Sequence, residues 1–178
     1  MNYELGMNLS IREIEEKDFI LIADYWLKSD SDFLVNMGVD LKKLPTREGL
    51  ISMLQGQLAL PIKKKMSFAL IWEQDGEAIG HCNVNEIEFG VTAKMHLHLW
   101  NNSNKQKGIG LELLKKSIPV FFDKLELKTL VSEPYALNLA PNKTLEKAGF
   151  TLEKRYVTTP GSLNFEQEVC RWVKRKTQ

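Results

Sequence analysis

From Leu9 to Ile14 apolar and polar residues alternate (L-S-I-R-E-I), the two-residue period of a strand with one buried face. The period then lengthens. Phe19, Ile22, Ala23 and Trp26 recur at helical spacing behind Asp18, which is placed to cap a helix running to about Lys28. A polar loop follows, and Pro45-Thr46-Arg47-Glu48 opens a second helix that reaches about Leu60. Phe68 to Trp72 is a short apolar strand. Asp75-Gly76 is the strongest hairpin signal in the chain and leads into a long strand from Glu77 to about Glu88. Gly90 turns the chain again, into a strand from Ala93 to Trp100.

In the second half, Leu111, Leu114, Ile118, Phe121 or Phe122, and Leu125 form one helical stripe. Pro119 lies inside it and predicts a kink or an early stop, because proline removes one i→i−4 hydrogen bond. Lys128 to Ser132 reads as a strand. Asn138 to Ala148 reads as a helix, with Asn138 as its cap and Gly149 just beyond its end. Tyr156 and Phe165 to Val173 fall in two last strands joined by a Pro160-Gly161 turn. The order is strand, two helices, a three-strand meander, helix, strand, helix and two strands. That is an α/β chain with a mixed sheet, not a repeated βαβ unit.

Composition narrows the class. The chain has 178 residues and a formal charge of +1, so it is one domain by size and has no field favouring nucleic acid or an anionic membrane. No run of 18 apolar residues exists, and Met1 to Ser10 lacks the basic start and apolar block of a secretory signal. Cys82 and Cys170 are too few for a disulfide framework and lack metal-like spacing. The expectation is a cytoplasmic protein, with residues 1–7 a flexible extension and residues 8–175 the domain.

The most specific chemistry lies at Asn104 to Leu114, N-K-Q-K-G-I-G-L-E-L-L. Gly108 and Gly110 follow two lysines and open directly into the apolar helix stripe. Glycine admits positive φ and lets an anion approach the main chain, and the helix start offers unpaired N–H donors. A phosphate-bearing ligand is therefore expected. A dinucleotide fingerprint would place a third glycine where Leu113 stands, and a Walker loop would need Lys and Ser or Thr where Leu111 and Glu112 stand. Both fail. What survives is basic-x-x-G-x-G between a strand and a long helix.

That loop and the element order resemble the GNAT superfamily of N-acetyltransferases, whose pyrophosphate loop is Q/R-x-x-G-x-G/A. Here it reads Lys105-Gln106-Lys107-Gly108-Ile109-Gly110, with Lys105 in place of the usual Gln or Arg. A second block, Asn138 to Phe150, is similar to the family's N-x-x-…-E-K-x-G-F helix and the strand behind it. Its L-E-K-x-G-F form is similar to the branch containing ribosomal-protein N-terminal acetyltransferases. The resemblance spans roughly Ile11 to Val173. It implies an α+β fold: a single domain with a mostly antiparallel, six- to seven-stranded mixed sheet, a central splay, and helices on both faces. It also implies acetyl-CoA as cosubstrate, with no metal, and an amine acceptor in a monomer or homodimer. Neither nucleic acid nor membrane is an expected partner.

By the same resemblance, backbone N–H groups from Gln106 to Leu111 hold the pyrophosphate. His98, Leu99 and Trp100 pair with the pantetheine arm through their main chain, and Asn138 contacts it. The oxyanion donor is a main-chain N–H near Leu99. For the base, His96 and His98 share one face of their strand, and Glu86 and Glu88 alternate on the strand before. Each of these residues also reads as an ordinary strand polar group. The family often carries Tyr at the position of Leu145, and this branch often carries Ser at that of Pro141, so the usual leaving-group acid is missing. Tyr135 is a substitute; water or the amine's own proton is another. A catalytically silent acyl-CoA-binding module of the same fold is the competing reading. The acceptor pocket is expected from about Asp18–Leu60 and Arg155–Phe165, with Trp26, Phe33, Trp72 and Tyr156 as lining or as core.

Overall fold

The computed structural model describes residues 7–100 and 108–177. The helices are α1 (Phe19–Lys28), α2 (Ser31–Asn36), α3 (Arg47–Ala59), α4 (Ile109–Lys124) and α5 (Leu139–Lys147). The strands are β1 (Leu9–Glu13), β2 (Phe68–Gln74), β3 (Glu77–Glu88), β4 (Thr92–Leu99), β5 (Thr129–Ser132), β6 (Thr151–Thr158) and β7 (Gln167–Arg175). They form one seven-stranded sheet in the order β1-β2-β3-β4-β5-β7-β6. Every neighbouring pair is antiparallel except β4 and β5, which run parallel.

The parallel pair is where the sheet comes apart. β4 matches β5 only from Thr92 to Lys94, opposite Thr129 to Val131, yet it stays paired with β3 as far as Leu99. β5 ends at Ser132, whose hydroxyl donates to the Met95 carbonyl at 2.8 Å. Beyond that bond the β5-facing edge of β4 has no strand beside it among the described residues.

The faces of the sheet are sorted by the two-residue period of β2, β3 and β4. Leu70, Trp72, Cys82, Val84 and Met95 lie on one face, fully buried against α4 and α5. Trp72 Nε1 donates to Ser117 Oγ of α4 at 2.8 Å, and Trp172 Nε1 donates to Asn142 Oδ1 of α5 at 2.8 Å. The opposite face carries His81, Asn83, His96 and His98, and α1 packs over it through Tyr25 and Trp26. Trp72 is thus core, not acceptor lining.

Three local expectations are corrected. Asp18 does not cap α1: its carboxylate accepts from Arg12 Nη1 and Nη2 at 2.7 and 2.8 Å and from the Glu15 N–H at 2.8 Å. Arg12 Nε also donates to Glu73 at 2.7 Å, so one guanidinium ties β1 and β2 to the entry of α1. Burial pushes the Asp18 pKa up, but the arginine outweighs it and holds the group below its ordinary value. The polar loop after α1 contains a further helix, α2, whose cap Asp30 accepts from the N–H groups of Asp32 and Phe33. Of the kink or early stop expected at Pro119, the early stop does not occur, since α4 runs on to Lys124.

Candidate active site

A cleft of about 640 Å³ opens on the α1 side of the sheet, across the gap between β4 and β5. Its floor is the polar face of β3 and β4, with His81, Asn83, Asn85, His96 and His98. Trp26 of α1 and Leu50, Met53 and Leu54 of α3 form one wall. Glu133 to Tyr135, Asn138 and Pro141 form another, and the β6–β7 loop closes the rim through Pro160 to Asn164.

The edge of β4 is fixed by its pairing. The Trp100 N–H donates to Ile79 C=O at 2.9 Å, which makes the register partners His98 with His81 and His96 with Asn83 hydrogen-bonded pairs. Main-chain groups alternate between the two edges of a strand, so those of Leu97 and Leu99 point into the splay. Leu99 is where the sequence expects main-chain contacts. His98 and Trp100 instead spend their main-chain groups on β3, and Leu97, absent from that expectation, turns its own toward the splay.

The start of α4 adjoins the open edge. A Cβ built on Gly110 would lie 3.4 Å from Leu99 Cδ1, so the first turn of the helix sits against the end of β4. Gly108 is the residue before α4 and takes a left-handed φ of 75°. Such a φ strains any residue with a side chain, which is why glycine stands there. Ile109 is buried, and Leu111 packs on the core from the same turn. Lys105, Gln106 and Lys107 lie outside the described residues.

The three histidines are all neutral, for reasons visible in their partners. Trp100 Nε1, which can only donate, is 2.7 Å from His81 Nδ1, so that nitrogen carries no proton. The His81 and His98 rings stack at 4.7 Å, and the Tyr25 hydroxyl lies 3.0 Å from His98 Nδ1. Burial, followed by repulsion from His96, lowers the His81 pKa to about 3. Burial, followed by His81 and His96, holds His98 well below its ordinary value. His98 lines the cleft floor with its ring packed against Tyr25, Trp26 and His81. His96 differs. Its Nε2 lies 3.1 Å from Asn85 Oδ1, an acceptor, which assigns the ring proton to Nε2 and leaves Nδ1 as a lone pair. Burial, then Lys94, lowers its pKa to about 4.

The carboxylates divide in the same way. β3 carries a bulge between Asn85 and Glu88, with Glu86 at a φ of 47°. This extra residue breaks the alternation that would put Glu86 and Glu88 on one face. Glu86 stays at the cleft, 3.1 Å from Lys94 Nζ, whereas Glu88 is exposed near the β3–β4 turn and is not among the lining residues. Glu133, which the sequence reading passed over, is buried in the cleft wall. It accepts from Tyr156 Oη, from Arg171 Nη1 at 2.8 Å and from Lys94 Nζ at 3.2 Å. Burial raises its pKa, but these three donors prevail and hold it below the ordinary carboxylate value. Its place directly after the last residue of β5 was the available signal.

Tyr135 and Asn138 come together in the wall. Tyr135 makes a bridge with Val169, and its ring meets Phe165 edge-on at 5.8 Å. Asn138 precedes α5, but its side chain makes no capping bond there, so its head group is not engaged as a cap. Leu145 is fully buried in the core and Pro141 lines the cleft, so neither position supplies a hydroxyl. Of the aromatic candidates for the acceptor pocket, Trp26 lines the cleft and Tyr156 is held by Glu133. Phe33 faces a separate hollow of about 400 Å³ beside Tyr25, Lys28 and Trp100. Among the described residues no group of three His, Cys, Asp or Glu is arranged to hold a metal, and no helix is long and apolar enough to cross a membrane.

A sheet split between two parallel strands, an open strand edge, and a glycine-led helix start beside it make a groove suited to a long arm ending in phosphates. The sequence model of the acetyltransferase (GNAT) domain matches residues 8–151, and the chain belongs to that family. Solved structures carry the same fold. A RimL ribosomal L7/L12 alpha-N-protein acetyltransferase in complex with coenzyme A superposes with a TM-score of 0.75 at 19% identity, covering 94% of this chain and 93% of that one. A spermidine N-acetyltransferase from Vibrio cholerae, in complex with CoA and spermine, gives 0.76 at 16%, covering 94% and 95%. An aminoglycoside acetyltransferase in complex with coenzyme A gives 0.70 at 18%, covering 95% of each. No curated protein sequence matches the chain.

Proposed function

We propose that residues 8–175 form one acetyltransferase domain that moves an acetyl group from acetyl-CoA directly to a primary amine, with no covalent enzyme intermediate. The observation that carries this reading is the open β4 edge, Leu97 to Leu99, leading to the first turn of α4. Main-chain groups of Leu97 and Leu99 hold the pantetheine arm, and the N–H groups of Ile109 to Leu111 receive the pyrophosphate at the positive end of the helix. Asn138, free of capping duty, reaches the arm from the opposite wall.

In the transfer, the amine nitrogen attacks the thioester carbonyl carbon and a main-chain N–H of Leu97 or Leu99 binds the oxyanion. The C–S bond then breaks and the sulfur takes a proton. Tyr135 supplies that proton in this proposal, since Leu145 and Pro141 cannot. The amine loses its proton to the His96 Nδ1 lone pair or, through water, to solvent; a base with a pKa near 4 relays a proton rather than storing it. His98 holds the floor of the cleft in place, and Glu88 takes no part. Aqueous acceptor chemistry is consistent with a cytoplasmic setting.

The test is release of CoA thiol from acetyl-CoA with a panel of amines and peptide N-termini. Release above the buffer rate, with a mass gain of one acetyl on the acceptor, is the expected result. Tight CoA binding with no release across the panel would instead establish the silent acyl-CoA-binding module.

A further inference from the structure

The acceptor side of the cleft has the wrong charge for a polycation. Glu86 and Glu133 are the acidic residues among those lining it, and both already face the Lys94 ammonium, at 3.1 and 3.2 Å. Glu133 is further occupied by Arg171 and Tyr156. A polyamine or an aminoglycoside presents several ammonium groups, each needing its own carboxylate when drawn out of water. Among the described residues the cleft has no carboxylate outside these ion pairs, and a fixed ammonium stands between the two it has.

What the wall offers instead is apolar and adaptable. Trp26, Met37, Leu50, Met53, Leu54 and Met66 line the side formed by α1, the loop after α2, and α3 with its following turn. Met53 and Met66 are 48% and 59% exposed, so large apolar side chains face the cleft rather than the core. Unbranched thioether side chains fill irregular gaps around an apolar guest and tolerate variation in its shape. A polar feature is set beside them. Gln167 is buried, and its Nε2 donates to Gly38 C=O at 2.8 Å and Phe165 C=O at 2.9 Å. Two carbonyls on one side fix the amide orientation and leave Oε1 as a buried acceptor with no partner among the described residues. Gly38 makes room for it, since a Cβ there would fall 2.2 Å from Oε1.

We infer that the acceptor is a monoamine whose nitrogen is joined to a bulky apolar group. Two sources share this chemistry: a peptide N-terminus whose first side chain is large and apolar, and a small aryl- or alkylamine. The inference rests on the acetyltransferase reading and deepens it. Lost hydration of the apolar group drives binding, and the cleft rejects polycations because it lacks unpaired carboxylates.

The experiment compares kcat/KM, by thiol release, for peptides beginning with Met, Leu or Phe, peptides beginning with Ser or Ala, 2-phenylethylamine, spermidine and an aminoglycoside. At least one apolar arm is expected to exceed spermidine, the aminoglycoside and the Ser and Ala peptides by roughly tenfold or more, and the arm that leads identifies the source. Equal or better turnover of the polycations or of the small-residue peptides overturns the inference while leaving the acetyltransferase reading intact. No release with any amine overturns that reading and this one with it. Met53→Glu adds a carboxylate at an exposed wall position. It is expected to cut the apolar-to-spermidine ratio about fivefold or more at an unchanged melting temperature. An unchanged ratio shows that α3 does not contact the acceptor and overturns the assignment.

Discussion

Replacing Gly110 by glutamate separates the two roles assigned to the start of α4. Gly110 is the second residue of the helix, and among the described residues a Cβ there meets only Leu99 Cδ1 at 3.4 Å, an ordinary contact. Removing a helical glycine stabilises by about 0.5–1 kcal/mol, and a carboxylate in the first turn adds about 0.3–1 kcal/mol through the helix dipole. For a domain of this size the sum raises the melting temperature by roughly 2–8 °C. The same carboxylate repels an anion seated on that turn. At a separation of about 8 Å and an effective dielectric of about 20, one pair of unit charges costs about 2 kcal/mol, or roughly 30-fold in Kd. Gly110→Glu should therefore be more stable than the parent and bind CoA much more weakly. The weakening should shrink as salt is added, because exposed charges are screened. Gly110→Ala should keep part of the stability gain with far less loss of affinity. Calorimetric titration of CoA and thermal melts of the unliganded variants measure both. A CoA affinity within threefold of the parent, in a protein that melts higher, would refute the placement of the pyrophosphate on this turn.

Tyr135→Phe should lower kcat by roughly 100-fold or more with CoA affinity unchanged, the signature of a lost proton donor; an unchanged kcat removes Tyr135 from the chemistry. Because His96 has its pKa lowered to about 4, it is neutral throughout the working range. The pH profile of kcat/KM should rise with deprotonation of the amine and show no step near 6.5, and a step there that vanishes in His96→Gln would refute this. Glu133 is held below its ordinary value, so it binds fewer protons folded than unfolded; its contribution is complete above about pH 4.5 and is lost as pH falls through the folded value. Urea denaturation between pH 5 and 3 should show a shallower loss of stability in Glu133→Gln than in the parent. Gly80→Ala should destabilise by about 1–3 kcal/mol in thermal melts, because its Cβ would lie 2.4 Å from the His98 carbonyl oxygen.

The strands were legible where one face is buried and one is not. β1 and β4 alternate visibly and Asp75-Gly76 marks the β2–β3 turn, but the bulges after Trp72 and Asn85 each shift the register by one residue and leave no mark in the periodicity. Helix α4 was legible from its stripe, and it does not stop at Pro119 because a penalty on one hydrogen bond is outweighed by the burial of Ile118, Phe121 and Phe122 around it. Asp18 misled for a related reason. Its spacing suits a cap, but Arg12 offers two charge-assisted bonds where a helix terminus offers one. Helix α2 was hidden because six residues with a single fully buried side chain, Leu34, hold too short a pattern to read.

The candidate site was legible only where its chemistry is carried by the main chain and marked by glycine. Gly108 and Gly110 announce themselves because glycine takes a positive φ without strain and leaves the first turn of the helix bare for an anion. Leu97 contributes main-chain atoms and has no residue-type signature; its role follows from which edge of β4 lacks a partner, and that depends on where β5 stops. Side-chain candidates failed when their role depended on a bulge or on neighbours distant in sequence. The extra residue at Glu86 moved Glu88 away from the cleft. Tyr25, 73 residues before His98, packs against this histidine and occupies its Nδ1, a contact that no local pattern announces. Glu133 offered only its place after β5 as a signal, since its partners lie on β4, β6 and β7. The acceptor preference lies furthest from sequence, because it is written in a cancellation. Only when Lys94 is seen between Glu86 and Glu133 does a cleft with two carboxylates become one with none available, and its apolar wall the feature that selects the amine.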